Sequence, residues 1–471
     1  MLPAVIIVLM IISFTSGENP AIQVILTNKG LQYGKHVGAG WIQDRLDLVT
    51  FPDISGKILG GIYYTFSGVT ITKCDFPEPS LEFYPNITGF KSSISGLSVA
   101  VTGKWMTDFG LIHDGGTFDM AVFNMDVTSV LELGKDAGGH LSVASSHCEA
   151  QIGNVDMQFH GGASWIFQPF VEHFKGRIKD NIEATICPYV EESIVNLEYH
   201  LQAMRVSFDV GENFTFDLPL TGKPIFNASS MNLGLKGEFY NIQTHTDPPF
   251  EAKPFSVSER PDYMLSLGLS EFTLNSASYV LYSAGLLQAL ITDSMIPPSF
   301  HVHLNTSWMG HFIPQLPKMF PGLLMELLNY AREVPMFSFQ SGVLKLDFKG
   351  AVKAFAIQPN GTQTPLFKLN ADFKLSGKVW ISGGRLEGSV TLDNFTLTLA
   401  SSEVGTFETY ALEHLMQAGM MLAVGKVNME LGKGFVLPRS THGELVNTVL
   451  GMEEGFIAIS SDVVLTNGGF D

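Results

Sequence analysis

Lysine and arginine are scarce in this chain: 28 of them face 46 aspartates and glutamates in 471 residues, a formal net charge of −18. That balance argues against nucleic acid as a partner, because phosphate contacts are made by Lys and Arg. It also disfavours tight electrostatic docking on anionic membranes. Cysteine is nearly absent, with three in all, enough for one disulfide with one thiol left over. After the first dozen residues no apolar run approaches the ~20 residues that cross a bilayer. Catalytic signatures are missing as well: no Gly-x-Ser-x-Gly elbow, no phosphate-binding glycine loop, no His-Glu-x-x-His helix. His301-Val302-His303 places two imidazoles on one face of an expected strand, but no third ligand has suitable spacing for a metal. Neither an enzyme nor a cofactor is expected.

What is present points outside the cell. Met1 to Ile12 is an apolar run too short to span a membrane, and Ser13 to Gly17 turns small and polar, which predicts a signal peptide over 1–17. Six Asn-x-Ser/Thr sequons follow, at Asn86, Asn213, Asn227, Asn305, Asn360 and Asn394, so a secreted glycoprotein is expected. Phe is abundant at 35 while charged residues make up only 16%. Apolar surface is therefore plentiful, enough for a large core or for a cavity holding something apolar.

Periodicity divides the chain into two halves. Asn19-Pro20 predicts the cap and first turn of a helix reaching about Asp47, with Ile22, Leu26, Tyr33, Val37 and Trp41 at helical spacing. From about Ile58 to Phe159 the period is two, an antiparallel meander. A long helix follows at about 163–204, kinked at Pro188. Its large apolar residues are Ile166, Phe170, Phe174, Ile178, Ile182 and Ile186. A spacing of four drifts about 40° per step on a helix of 3.6 residues per turn, so one flat sheet cannot meet all of them. Residues 246–261 hold four prolines and no period, the best linker in the chain. Beyond it the order recurs: an apolar helix near Ala277–Thr292, strands from about Phe337 to Leu399, a helix near Glu408–Val424. Two similar α+β domains are expected, at 18–245 and 262–471.

Pairing Cys148 with Cys187 would tie a strand to the long helix, worth roughly 4 kcal/mol on the chain-entropy model. Cys74 would then be a buried free thiol, with intermolecular pairing as the alternative. Glycines recur inside the expected helices, at Gly30, Gly34, Gly38 and Gly40 and again at Gly419 and Gly425. Each costs roughly 0.5–1 kcal/mol against Ala, so a strand or a lipid tail is expected close to the backbone. The expected pocket lining is Ile22, Leu26, Tyr33, Val37, Trp41, Phe170, Phe174, Ile178 and Ile182 in the first domain. In the second it is Tyr279, Tyr282, Leu286, Leu290, Leu415, Gly419 and Leu422.

Several short stretches, in order, resemble the family of bactericidal/permeability-increasing protein, lipopolysaccharide-binding protein and plasma lipid-transfer proteins. They are Asn19-Pro20, Lys29-Gly30-Leu31-Gln32-Tyr33-Gly34, Pro52-Asp53-Ile54-Ser55-Gly56, Gly103-Lys104-Trp105, His160-Gly161-Gly162-Ala163-Ser164-Trp165, Lys236-Gly237-Glu238-Phe239-Tyr240 and Met295-Ile296-Pro297-Pro298. The resemblance implies an elongated α+β boomerang, two barrel-like domains joined by a central antiparallel sheet. It implies a phospholipid in each apolar pocket, the Cys148–Cys187 disulfide, and bacterial lipopolysaccharide as a candidate partner. The chain departs from the endotoxin binders at the loop Met106 to Asp114, which has no Lys or Arg, and residues 18–260 carry 16 basic and 28 acidic side chains. Lys35, Arg45, Lys57, Lys91 and Lys104 are the remaining candidates for a basic patch. The reading is a secreted, monomeric lipid-binding protein of innate defence touching membranes or micelles transiently. The alternatives are an acidic lipid carrier without endotoxin recognition and a matrix glycoprotein whose cavities are filled.

Overall fold

The computed structural model describes residues 18–46, 53–58, 61–109, 112–162, 164–168, 171–210, 213–244, 246–296, 301–436, 439–440 and 443–465. The expected signal peptide and Phe170 lie outside the described residues.

Residues 21–27, Ala-Ile-Gln-Val-Ile-Leu-Thr, are almost continuously apolar and partly β-branched, a composition that suits a strand covered on both faces. They form strand β1 (Ile22–Thr27), and helix α1 (Asn28–Leu46) begins only after it. The helix expected from Asn19 is therefore wrong over its first third: the spacing of four between Ile22 and Leu26 also fits a period of two. Strands β2 (Ile54–Ile58), β3 (Ile62–Asp75), β4 (Ser80–Tyr84), β5 (Gly89–Phe109), β6 (Ile112–Lys135) and β7 (Leu141–His160) follow as the expected meander. Then come the short helix α2 (Ser164–Phe167) and the long helix α3 (Val171–Ala203), with Pro188 inside it. Short strands β8 (Ser207–Val210), β9 (Phe214–Asp217), β10 (Ile225–Phe226), β11 (Ser230–Leu235) and β12 (Glu238–Asn241) close the first half.

The second half opens with β13 (Leu265–Ser270) and helix α4 (Glu271–Ser283), capped by the Ser270 hydroxyl accepting from Phe272 N. Gly285, at φ +68°, takes the left-handed conformation that ends a helix. The helix expected to Thr292 is instead α4 followed by strand β14 (Gln288–Thr292). Helices α5 (Thr306–Met309) and α6 (Leu316–Met319) precede β15 (Met325–Ala331), β16 (Met336–Gln340), β17 (Val343–Ile357), β18 (Gln363–Ser382) and β19 (Arg385–Ser402). Helix α7 (Tyr410–Lys433), β20 (Phe435–Val436), β21 (Arg439–Ser440), β22 (Gly443–Glu453) and β23 (Phe456–Leu465) complete the chain. His301 and His303 are not on a strand; His303 sits 3.9 Å from Asp293. Among the described residues no group of three His, Cys, Asp or Glu could hold a metal ion, and no helix is long and apolar enough to cross a membrane.

The α+β expectation holds, as two curled antiparallel sheets with a sheet between them. The first runs β2-β3-β5-β6-β7, the second β14-β15-β17-β18-β19-β20, and the central one β10-β11-β1-β13-β23-β22-β21. Register shifts at Ser67/Thr70, Ile94/Leu97 and Val130/Leu131 bend the long strands, since an extra residue on one strand adds local twist. The central sheet is shared by both halves: β1 pairs with β11 on one side and β13 on the other, and β13 with β23. Residues 246–260 carry no regular structure but are docked on it. Ala252 and Val257 are buried, Gln23 Nε2 donates to Phe255 O at 2.6 Å, and Val257 N donates to Gln23 Oε1 at 3.2 Å.

Candidate functional site

Helix α3 is fastened along one edge of the first sheet. Cys148 on β7 and Cys187 on α3 form the expected disulfide, with Cα atoms 5.7 Å apart; Cys74 remains outside it, half-buried on β3. An edge strand presents unpaired backbone N–H groups that need partners. Two glutamates of α3 supply them: Glu183 accepts from Ile152 N at 2.7 Å, and Glu198 from Val143 N at 2.5 Å. Replacing Glu183 by Ala should cost about 1–3 kcal/mol, the penalty for an orphaned half-buried donor. Amide exchange at Ile152 would report it; unchanged protection there would rule out this role.

The winding stripe of α3 meets a surface that winds with it. Phe174 and Ile178 pack on Tyr64, Phe66, Trp105 and Phe159. Ile182 and Ile186 pack on Val122, Met125, Ile152 and Val155, and Ile194 on Leu133 and Val143. A drifting stripe needs a second cover only over a flat sheet; the curl removes most of that need.

A gap remains on the side away from β7. β2 is the opposite edge, and between it and α3 the concave face is uncovered among the described residues. A slot of about 120 Å³ is lined there by Ile54, Phe66, Val69, Val99, Val101, Phe118, Met120, Val122, Met125, Ile178 and Ile182, with no polar side chain among them. It adjoins a wider mouth of about 450 Å³ that shares Ile54, Phe66 and Ile178 and adds Ser55, Tyr64, Phe174, Asp180 and Ala184. Aromatic edges close the end: the Tyr64 and Phe174 rings are 5.1 Å apart and Phe66 and Phe118 5.0 Å, both edge-on. A methyl group at Gly56 would overlap the Tyr64 ring, so glycine there lets this ring lie across the mouth. Such an all-apolar cavity stays dry and takes apolar guests.

Of the residues expected to line this pocket, the structure brings together Phe174, Ile178 and Ile182. Ile22 is buried in the central sheet and Leu26 packs near Leu31 and Met231 at the sheet's base. Tyr33 and Val37 lie half-buried on α1, which packs on β4, outside the slot lining. The Trp41 and Arg45 side chains lie outside the described residues. Expecting the wall on helices alone missed the strand residues; the alternation Val99, Val101 and Phe118, Met120, Val122 was the available signal.

Most of the helix glycines do not face a close neighbour. Only Gly30 is tight, where an added Cβ would meet Met264 O at 2.5 Å. At Gly34, Gly38, Gly40, Gly419 and Gly425 it would meet nothing within 4 Å.

The second half is arranged alike but filled. Helix α7 covers the edge of β19, with Glu413 accepting from Leu397 N at 2.9 Å and Asn428 exchanging two bonds with Val390. The two anchors on α7 are spaced as Glu183 and Glu198 are on α3. Inside, residues 304–316 plug the sheet: Leu304, Met309, Ile313 and Leu316 are fully or nearly buried against Met325, Leu366, Leu369 and Leu397. The residues expected to line the second pocket are not brought together around one cavity among the described residues. Leu415 packs on this plug, whereas Gly419 and Leu422 are exposed. Leu286 and Leu290 are exposed on the turn and strand after α4. Tyr279 packs on Phe250, and the Tyr282 hydroxyl donates to Arg332 O at 2.9 Å.

The basic residues do not converge either. Lys35 pairs with Glu78 at 3.2 Å, holding that carboxyl below its usual range. Lys91 and Glu82 are 3.9 Å apart, and Lys57 lies over the Tyr63 ring. Lys91 and Lys104 share β5 but are separated by roughly 40 Å along it, at ~3.3 Å per residue. Among the sequons, Asn86, Asn213, Asn227, Asn360 and Asn394 are exposed. Asn305 is half-buried, its side chain accepting from Trp308 N at 2.8 Å as the cap of α5.

A family model described as "LBP / BPI / CETP family, N-terminal domain" matches residues 30–204, and the C-terminal domain model of the same family matches residues 209–465. A bactericidal permeability-increasing protein from Sebastes schlegelii is 36% identical over 97% of this chain and 98% of its own. The human lipopolysaccharide-binding protein is 26% identical over 98% of each chain. A crystal structure of lipopolysaccharide binding protein superposes with a TM-score of 0.58 at 26% identity, covering 95% of this chain and 99% of that one.

Proposed function

Because the chain belongs to the LBP/BPI/CETP family, we propose that it is a secreted lipid-binding protein of innate defence whose first half holds a phospholipid by an acyl chain. The observation that carries this reading is the slot beneath α3, with its wholly apolar lining and a mouth offering Ser55 and Asp180. Each methylene moved from water into such a lining contributes ~0.8 kcal/mol, so affinity needs no charged anchor and no catalytic group. It is a binder and not an enzyme. Solvent extraction of the purified protein followed by mass spectrometry tests it: about one acyl lipid per chain is expected, and a protein that neither carries nor takes up lipid would refute it.

A second reading is favoured by the names of the relatives, which include lipopolysaccharide-binding proteins. Lipopolysaccharide is acylated too, so its tails suit the same slot. Its phosphates would find no converging cations at Lys57, Lys91 and Lys104. Binding should therefore rest on the acyl chains, and raising salt from low to physiological strength should weaken it by less than about threefold, since screening acts on charge contacts. A loss of tenfold or more in a salt-titrated pull-down would mean that a cationic site operates.

A further inference from the structure

Helix α7 carries large apolar side chains on every side. A helix of that kind is ordinarily covered all round by its own protein. Here one side packs on the sheet and its plug through Leu412, Leu415, Met416 and Met420. The side turned away is open: Met421 is 62% exposed, Leu422 50% and Met429 63%. These stand with Gly425 at i, i+1, i+4 and i+8, on one side of a helix. Lys426 and Lys433 follow Leu422 and Met429 by four residues each, so they border that side, and both are exposed. Lys433 pairs with Glu430 at 2.6 Å, and Lys426 is in no ion pair among the described residues. Single exposed apolar residues are ordinary, but a continuous group rimmed by charge marks a contact surface.

We propose that the outer face of α7 docks on a lipid surface containing anionic phospholipid, with Met421, Leu422 and Met429 at the boundary of headgroups and acyl chains and Lys426 and Lys433 at the phosphates. A helix lying in that plane sinks its apolar side about 5–10 Å, and lysine stems are long enough to keep their ammonium groups at the headgroups. Charge selects this face. Residues 421–436 carry two lysines and one glutamate in a chain whose net charge is −18, so repulsion from anionic headgroups is locally reversed. The C-terminal half of α3 makes the contrast: Tyr189, Val195 and Tyr199 are exposed there, but Glu191 and Glu192 are exposed beside them and repel phosphate. Because the whole chain is acidic, apolar burial leads the contact and the two lysines tune it. The face belongs to the second half and uses no residue of the slot, so it stands or falls independently of the acyl site.

The test is flotation of the full secreted chain with phosphatidylcholine vesicles and with equimolar phosphatidylcholine–phosphatidylglycerol vesicles. Met421→Glu/Met429→Glu should cut binding at least about tenfold on both, because two apolar side chains give way to charges that resist leaving water. Both positions are exposed, so the melting temperature should not move. Met421→Ser/Met429→Ser, which adds no charge, should lower binding by a smaller factor on both. Lys426→Gln should weaken binding about fivefold on the mixed vesicles, the equivalent of ~1 kcal/mol for one lysine beside an anionic surface, and leave binding to phosphatidylcholine unchanged. Ile182→Trp, with the slot filled, should float as the parent does, so failure of the slot and failure of this face give different results. No flotation of the parent, or equal flotation of the parent and Met421→Ser/Met429→Ser, overturns the proposal. So does a dimer in size-exclusion chromatography that dissociates in the methionine variants without any vesicle binding, which would give this face to a second copy of the chain.

Discussion

Replacing Ile182 by Trp should leave the protein folded and cut its lipid uptake at least tenfold. Ile182 lies on α3 at the point where the helix closes the slot, touching both the Phe66–Phe174 group and the Val122–Met125 group. An indole there occupies the volume that an acyl chain would fill. Overpacking of this kind costs typically 1–3 kcal/mol, which a chain of this size tolerates, so loss of binding is separable from loss of fold. Excluding even eight methylenes forfeits roughly 6 kcal/mol at ~0.8 each, which makes tenfold a lower bound. The control is Tyr199→Trp, on the same helix but 72% exposed and outside the slot; it should load normally. Fluorescent fatty-acid displacement on the three proteins measures the effect. Equal uptake by Ile182→Trp and the parent would move the lipid site elsewhere.

Removing the disulfide should have the largest effect on stability. It closes a loop with a sequence separation of 39, worth about 4 kcal/mol on the chain-entropy model. Its position matters as much as its size. Cys187 lies between the part of α3 that roofs the slot and the part that packs on the base of the sheet at Val190 and Ile194. In Cys148→Ser/Cys187→Ser the roof keeps the contacts of Glu183 and Lys175 and of the stripe itself. Lys175 adds little: it pairs with Glu172 at 3.1 Å and Asp156 at 3.3 Å, and Glu172 foremost raises its ammonium, against an opposing effect of burial. Such exposed pairs contribute ~0–1 kcal/mol. Hydrogen exchange should show α3 from Val171 to Cys187 losing protection before the strands do. An unchanged melting temperature with unchanged protection of α3 would show that the bond is dispensable.

The parts legible in sequence were those where one local pattern had one structural meaning. The strand alternation of β3 to β7, the long helix running through Pro188 and the pairing of Cys148 with Cys187 belong here, and so does the repetition of helix and sheet. β1 was misread because a fully covered strand has no polar face, so Ile22 and Leu26 suit either period. The tail of α4 was misread because Leu286 and Leu290 keep helical spacing across Gly285, whose left-handed conformation breaks the helix. Wider errors came from tertiary context. No local pattern says that a sheet will curl to follow a drifting stripe, or that Ile313 and Leu316 will enter one half-barrel and leave the other open. The strap at 246–260 looked like a linker from its prolines, yet proline also suits an extended segment whose carbonyls bond side chains such as Gln23. The anchors Glu183, Glu198, Glu413 and Asn428 look like ordinary surface polar residues until the edge strands beside them are known.

The central claim is that the slot under α3 is an acyl-chain site. Its most direct test is native mass spectrometry of the secreted protein before and after delipidation, with reloading from phosphatidylcholine vesicles. One lipid per chain, lost on delipidation, regained on reloading and absent from Ile182→Trp, is the expected result. A protein that flies without lipid, takes up none, and behaves identically with Ile or Trp at 182 would contradict it.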